Sequence, residues 1–122
     1  MGRILVLDDE PDVRLIIRRL LDEQGYQVHE AGDGLQALEM VRAAPGLLDL
    51  VVSDLAMPRL NGIQLVQVLS VESPEIPFVL VSGYAVPELK AMGIVAPCGM
   101  LAKPLVEDVF LAEVKRCLRQ RN

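Results

Sequence analysis

Two kinds of block alternate along the chain. Residues 3–7, 48–54, 76–82 and 98–102 are short runs rich in uninterrupted apolar positions, which predicts strands covered on both faces. Residues 26–30 form a more polar run and predict a strand at the sheet edge. Between these runs the apolar positions recur with helical spacing. Val13, Ile16, Ile17, Leu20 and Leu21 make one stripe over 11–24, opened by Pro11 and ended by Gly25. Leu35, Leu38 and Val41 do the same over 34–43, and Ile63, Val66 and Leu69 mark a helix opening at Asn61 or Gly62. A weak helix is expected over 86–92. A final one over 105–120 carries Val109, Phe110, Val114, Cys117 and Leu118 on one side. Strand and helix in strict alternation predict a parallel sheet with helices on both faces. Ligands of such sheets bind beyond the carboxyl ends of the strands, where the strand order reverses.

That rule gathers the chemistry. Asp8 and Asp9 follow the first strand, Asp54 ends the third, Ser82 ends the fourth and Lys103 follows the fifth. The acids are the feature in need of explanation, because the run Ile4 to Leu7 stops at Asp8, Asp9 and Glu10. Two like charges ~4 Å apart repel by about 4 kcal/mol at an effective dielectric of ~20, and a plain turn would use glycine or one polar residue. A hard, oxygen-only donor set suits Mg²⁺, with Mn²⁺ as the alternative. Without clustered His or Cys, zinc and copper do not fit. A cation, a lysine and a hydroxyl around one carboxylate are what an incoming phosphoryl group requires. Asp54 would then be the nucleophile of an acyl phosphate. Each piece also has a plain explanation: acids at a helix start, Asp54 in a turn, Ser82 as an N-cap, Lys103-Pro104 leading into a helix. Their joint placement on successive strand ends favours the site.

Composition narrows the class further. A chain of 122 residues, 52% apolar, predicts one globular domain over 1–122. A net charge of −5 argues against a nucleic-acid-binding surface. No apolar stretch reaches the ~18 residues of a membrane span, and no export signal is visible. Lys115, Arg116, Arg119 and Arg121 crowd the last helix, where they complement its dipole. His29, the one histidine, sits among polar neighbours and reads as a surface residue. Cys98 and Cys117 lack metal-ligand spacing and read as reduced thiols in or near a core. The expected compartment is cytoplasmic.

The stretches LVLDDEPDVR, AGDGLQALE, DLVVSDLAMPRLNGIQL, VLVSGYA and LAKPL together resemble the receiver domains of the response-regulator superfamily in two-component phosphorelay signalling. The resemblance spans essentially the whole chain. It implies a flavodoxin-like (βα)5 doubly wound sandwich whose five-stranded parallel sheet has the order 2-1-3-4-5. It further implies a phosphoacceptor switch rather than an enzyme that turns over an external substrate. Asp54 would take a phosphoryl group from the phosphohistidine of a histidine kinase or histidine phosphotransfer protein. Asp9 and Asp54 would bind Mg²⁺ directly, Asp8 through water, and the Ala56 carbonyl would add a ligand. Lys103 would pair with the phosphoryl group, Ser82 would move to hydrogen-bond it, and the Lys103-Pro104 peptide would be cis. Neither nucleic acid nor membrane would be bound directly. A homodimer would use the face made by the fourth and fifth helices with the fifth strand.

Two features depart from the family. Met100 stands where an aromatic residue is usual, and MGIVAPCGM is poor in helix formers. Both bear on how the signal leaves the site. Met100 is flexible and apolar, while Tyr84 is the aromatic nearest to Ser82 in sequence. The expectation is that Ser82 and Tyr84 reorganise the following loop and change the exposure of 86–95. The VSGYA run resembles receivers attached to hybrid sensor kinases. Two other classes remain in view. A Mg²⁺-dependent phosphohydrolase would want acids two apart and a cap over its substrate, whereas Asp8 and Asp9 are adjacent. A pseudo-receiver scaffold would lack an acid or the lysine.

Overall fold

The computed structural model describes residues 2–54, 62–82 and 98–119. Among these residues five strands, β1 (Arg3–Leu7), β2 (Gln27–Ala31), β3 (Leu50–Asp54), β4 (Phe78–Ser82) and β5 (Gly99–Ala102), are joined to four helices. These are α1 (Pro11–Glu23), α2 (Gly34–Ala43), α3 (Gly62–Glu72) and α4 (Glu107–Arg119). The helix expected over 86–92 lies outside the described residues. The strands pair in parallel in one sheet of order β2-β1-β3-β4-β5, so the expected order is the observed one. It reverses between β1 and β3, which places the switch point at their carboxyl ends. Among the described residues no helix is long and apolar enough to cross a membrane.

Side-chain alternation along each strand builds two cores from one sheet. Leu5, Leu7, Val51 and Leu80 face α2 and α3 and pack with Leu38, Val41, Leu65 and Leu69. Ile4, Val6, Val52 and Val79 face the other way, against Ile17 and Leu21 of α1 and Phe110 and Val114 of α4. β3 and β4 are buried along their whole length. β2 lies at the sheet edge, as its polarity predicted, and is only half-buried before Ala31.

The helices bury narrower stripes than their sequence pattern predicted. Ile16 of α1 is 55% exposed, Val109 of α4 52% and Leu35 of α2 37%, although all three were expected inward. A helix resting on a sheet buries the row facing the strands and leaves its flanks in solvent. Ile17 and Leu21 occupy that row in α1. The end of α1 follows its sequence closely. Gly25 adopts φ 88°, its N–H donates to Asp22 O and the Tyr26 N–H to Leu21 O, the paired bonds of a Schellman end. At the start of α2, Asp33 Oδ1 accepts from the Gln36 N–H while Gln36 Oε1 accepts from the Gly32 N–H, a reciprocal cap.

The cysteines require a correction. Cys98 and Cys117 are not free thiols but form a disulfide, with Cα atoms 5.8 Å apart. They are separated by 19 positions in sequence, and only the packing of α4 across the start of β5 brings them together.

Candidate functional site

Strand register assembles the site. Leu7 of β1 lies opposite Ser53 of β3, so Asp8 leaves the sheet beside Asp54. Asp54 pairs with Val81, and Ser82 pairs with Ala102. The Lys103 N–H then donates to the Ser82 carbonyl at 2.9 Å. Residues contributed by four strands thus share one rim of the sheet. Oxygen atoms of Asp8, Asp9, Glu10 and Asp54 all lie within 4.8 Å of one another. Asp8, Asp54 and Ser82 are buried, while Asp9 and Glu10 are exposed.

Charge at this rim is unbalanced. Lys103 Nζ donates to Asp54 Oδ2 at 2.8 Å and lies 3.4 Å from Glu10 Oε1 and 3.5 Å from Asp8 Oδ2. Among the described residues, this one ammonium therefore lies within 3.5 Å of three carboxylates. Partial burial works against its charge, but the hydrogen bond and attraction of Asp54, helped by Asp8 and Glu10, hold it above the ordinary lysine value. Asp8 shows the opposite stress. Burial foremost, with repulsion from Asp54 and Glu10, pushes its carboxyl above the usual range, although the Glu10 N–H and Lys103 pull the other way. Its Oδ1 accepts that N–H at 2.9 Å. Its Oδ2 is buried with no hydrogen-bond partner among the described residues, since the ammonium is too distant for a good one.

A buried carboxylate oxygen without a donor is costly. A hard divalent cation would meet that deficit, and the donor set is oxygen throughout. Mg²⁺ fits the residues present. Two further residues shape the rim without having been assigned a role from sequence. Glu10 was read only as part of the acidic run, yet it reaches Lys103. Arg14, one turn into α1, donates through Nη1 to the Asp8 carbonyl at 2.8 Å and through Nε to Glu30 Oε1 at 3.2 Å. It thereby ties the acidic loop to the end of β2. Its position one turn after the acids was the available signal.

The remaining sequence-derived candidates divide. The Lys103-Pro104 peptide is cis. Met100 is half-buried and packs on the core shared with α2 and α3, opposite Leu80 in register, so it sits within the sheet rather than on the rim. Ala56 and Tyr84 lie outside the described residues, as do 86–95.

Comparison with known proteins agrees with this fold. The chain is 37% identical over 120 residues to the sensor kinase CckA of Brucella abortus (strain 2308), across 98% of this chain and 13% of that protein. It is 35% identical over 120 residues to the response regulator MprA of Mycobacterium leprae (strain TN), across 97% of this chain and 51% of that one. The chain therefore spans about half the length, or less, of these curated relatives. Among solved structures, the response regulator TrrA of Thermotoga maritima in complex with Mg²⁺ and BeF superposes with a TM-score of 0.84 at 28% identity. That match covers 96% of this chain and 99% of that one. The family model for the response regulator receiver domain matches residues 4–115, and the chain belongs to that family.

Proposed function

We propose that Asp54 accepts a phosphoryl group from a partner's phosphohistidine and that the product is a switched state of the domain. The observation that carries this reading is one buried carboxylate, Asp54, held at 2.8 Å by Lys103 and crowded by three further acids at the strand ends. An Asp54 oxygen attacks phosphorus in line. The P–N bond breaks, its electrons return to the imidazole, and an acyl phosphate forms. Mg²⁺, held by Asp8, Asp9, Asp54 and the Ala56 carbonyl, would neutralise charge on the phosphoryl oxygens. Lys103 exchanges its bond to the carboxylate for one to a phosphoryl oxygen. Ser82, buried at the end of β4, supplies a hydroxyl to another. Displacement of Ser82 and Tyr84, with Met100 adjusting beside Leu80, would carry the change to the partner surface.

The domain acts on itself, catalysing its own phosphorylation and slow dephosphorylation. Incubation with a small phosphodonor and Mg²⁺ separates this from a phosphohydrolase. A long-lived adduct of one phosphoryl group per chain is expected, and continuous phosphate release at enzyme-like rates would contradict it.

The phosphohistidine must reach Asp54 over the rim. Beside the site, Glu10, Val13, Ile16, Lys103 and Leu105 line a groove of ≈ 470 Å³. Apolar Ile16 is exposed there while sharing the groove with the site lysine. A helix of a histidine kinase or phosphotransfer protein would seat on it, in the cytoplasm where such donors are charged. Ile16→Glu should lower phosphotransfer from the cognate protein by roughly tenfold or more, the loss of one well-buried apolar anchor. Labelling by a small phosphodonor should not change, and equal losses from both donors would remove the groove from this account.

A further inference from the structure

The disulfide has a chemical setting of its own, away from the acidic rim. Cys117 is fully buried in α4, in the core shared with β1 and β4, while Cys98 is half-buried just before β5. Arg116 lies against the bond. Its Nη2 donates to the Cys98 carbonyl and comes within 3.8 Å of Cys117 Sγ. Glu113 holds the same guanidinium in place through Nε at 2.7 Å and Nη2 at 2.9 Å. The pair lies so close over the strand that a Cβ at Gly99 would approach Glu113 Oε2 to 2.5 Å. A cation therefore sits beside the fully buried cysteine, and the other cysteine is the one that keeps partial exposure.

We propose that Cys98–Cys117 is a thiol–disulfide exchange site, opened by a dithiol reductant through attack on Cys98, and that opening it releases the start of β5 from α4. The reductant's thiolate attacks Cys98 Sγ and the S–S bond breaks. The electron pair goes to Cys117 Sγ, which leaves as a thiolate beside Arg116 and takes a proton once the opened bond lets water in. The reductant's second thiolate displaces Cys98 from the mixed disulfide, and the Cys98 thiolate released takes a proton from water. The protein gains two electrons and two thiols, and the dithiol becomes a disulfide. A cation next to the leaving sulfur lowers its pKa, and a lower leaving-group pKa speeds exchange. The buried environment of Cys117 works against a thiolate, which is why the fixed guanidinium matters.

The location gives the exchange a consequence. The bond closes a loop that contains β5 and Lys103 and returns through α4. Oxidation ties the first residue of that loop to the helix core. Reduction leaves β5, an edge strand paired only to β4 among the described residues, held by its ladder and side chains. In a compartment that keeps thiols reduced, a disulfide of this kind is a sensor rather than a staple.

The test uses the 122-residue chain in its folded state, with dithiothreitol as the dithiol, alkylation of free thiols and intact-mass readout. Both cysteines should become alkylated together under native conditions. Brief treatment with a monothiol should trap its adduct on Cys98. Arg116→Gln should slow the reduction by roughly three- to tenfold, and Arg116→Lys should restore most of the rate. Amide exchange at Met100 to Lys103 should be at least about tenfold faster in the reduced protein. A bond that opens only when the domain unfolds would overturn the proposal, as would Arg116→Gln reduced at the wild-type rate. Unchanged exchange along β5 would remove the link to the strand. Thermal melts of both Arg116 variants check that they are folded before rates are compared.

Discussion

Saturating Mg²⁺ should raise the midpoint of thermal unfolding by about 10 °C. Asp8 has its Oδ2 buried without a hydrogen bond among the described residues, and its carboxyl is pushed up mainly by burial. Metal-free, the fold must hold that charge near Asp54 and Glu10, with Lys103 as the ammonium among the described residues that offsets them. A ligand bound only by the folded state stabilises it by about 2.7 kcal/mol at ~100 times its dissociation constant. For a domain of this size, each kcal/mol moves the midpoint by roughly 4 °C. Asp8→Asn keeps an oxygen for the Glu10 N–H and removes the charge. That variant should melt higher than wild type without metal and respond far less to Mg²⁺. The same direction is expected, more weakly, for exposed Asp9→Asn. Melts of wild type that ignore Mg²⁺ would dissolve the metal assignment.

Lys103→Ala should slow phosphorylation by a small donor about 10²-fold while leaving the domain folded. The ammonium is partly exposed on the rim, so its removal opens no core cavity. Chemically it is the described cation nearest Asp54. Loss of one positioned donor to a developing oxyanion costs roughly 10² to 10³ in rate. Its ionic contribution to the fold is constant at ordinary pH. The group is held above its usual value, so the contribution is complete below the unfolded value and is lost only as pH rises through the folded one. Mg²⁺ should bind the variant at least as tightly as wild type, because a competing cation has gone. The phosphorylated variant should also lack the backbone NMR shifts of phosphorylated wild type. A variant that phosphorylates slowly yet shows the full set of shifts would confine Lys103 to the chemistry.

Most of this architecture is legible in the sequence because strand ends carry the chemistry and apolar runs mark the strands. The run Ile4 to Leu7 fixes where Asp8 emerges, and residues 50–54 fix Asp54. Once both are adjacent strands of one parallel sheet, no further information is needed to place the acids together. What was not legible depends on rotation and on distance. Helical periodicity does not say which of Ile16 and Ile17 meets the sheet, because neighbouring residues on a helix differ by a rotation that only packing resolves. Ile16 was expected inside and lies in the groove beside Lys103. The cysteine spacing is likewise silent on the disulfide, since α4 must first fold back across β5. Glu10 and Arg14 were overlooked because a surface acid and a helix arginine are common. Their partners, Lys103 and the Asp8 carbonyl, are not neighbours in sequence.

Whether Asp54 is the phosphoacceptor decides the whole account. Wild type and Asp54→Asn are incubated with a small phosphodonor and Mg²⁺, and intact mass is followed by peptide mapping. One Mg²⁺-dependent phosphoryl adduct is expected on wild type, localised to the peptide containing Asp54 and absent from Asp54→Asn. An adduct of equal yield on the folded variant, or no adduct on wild type under any condition, would contradict it.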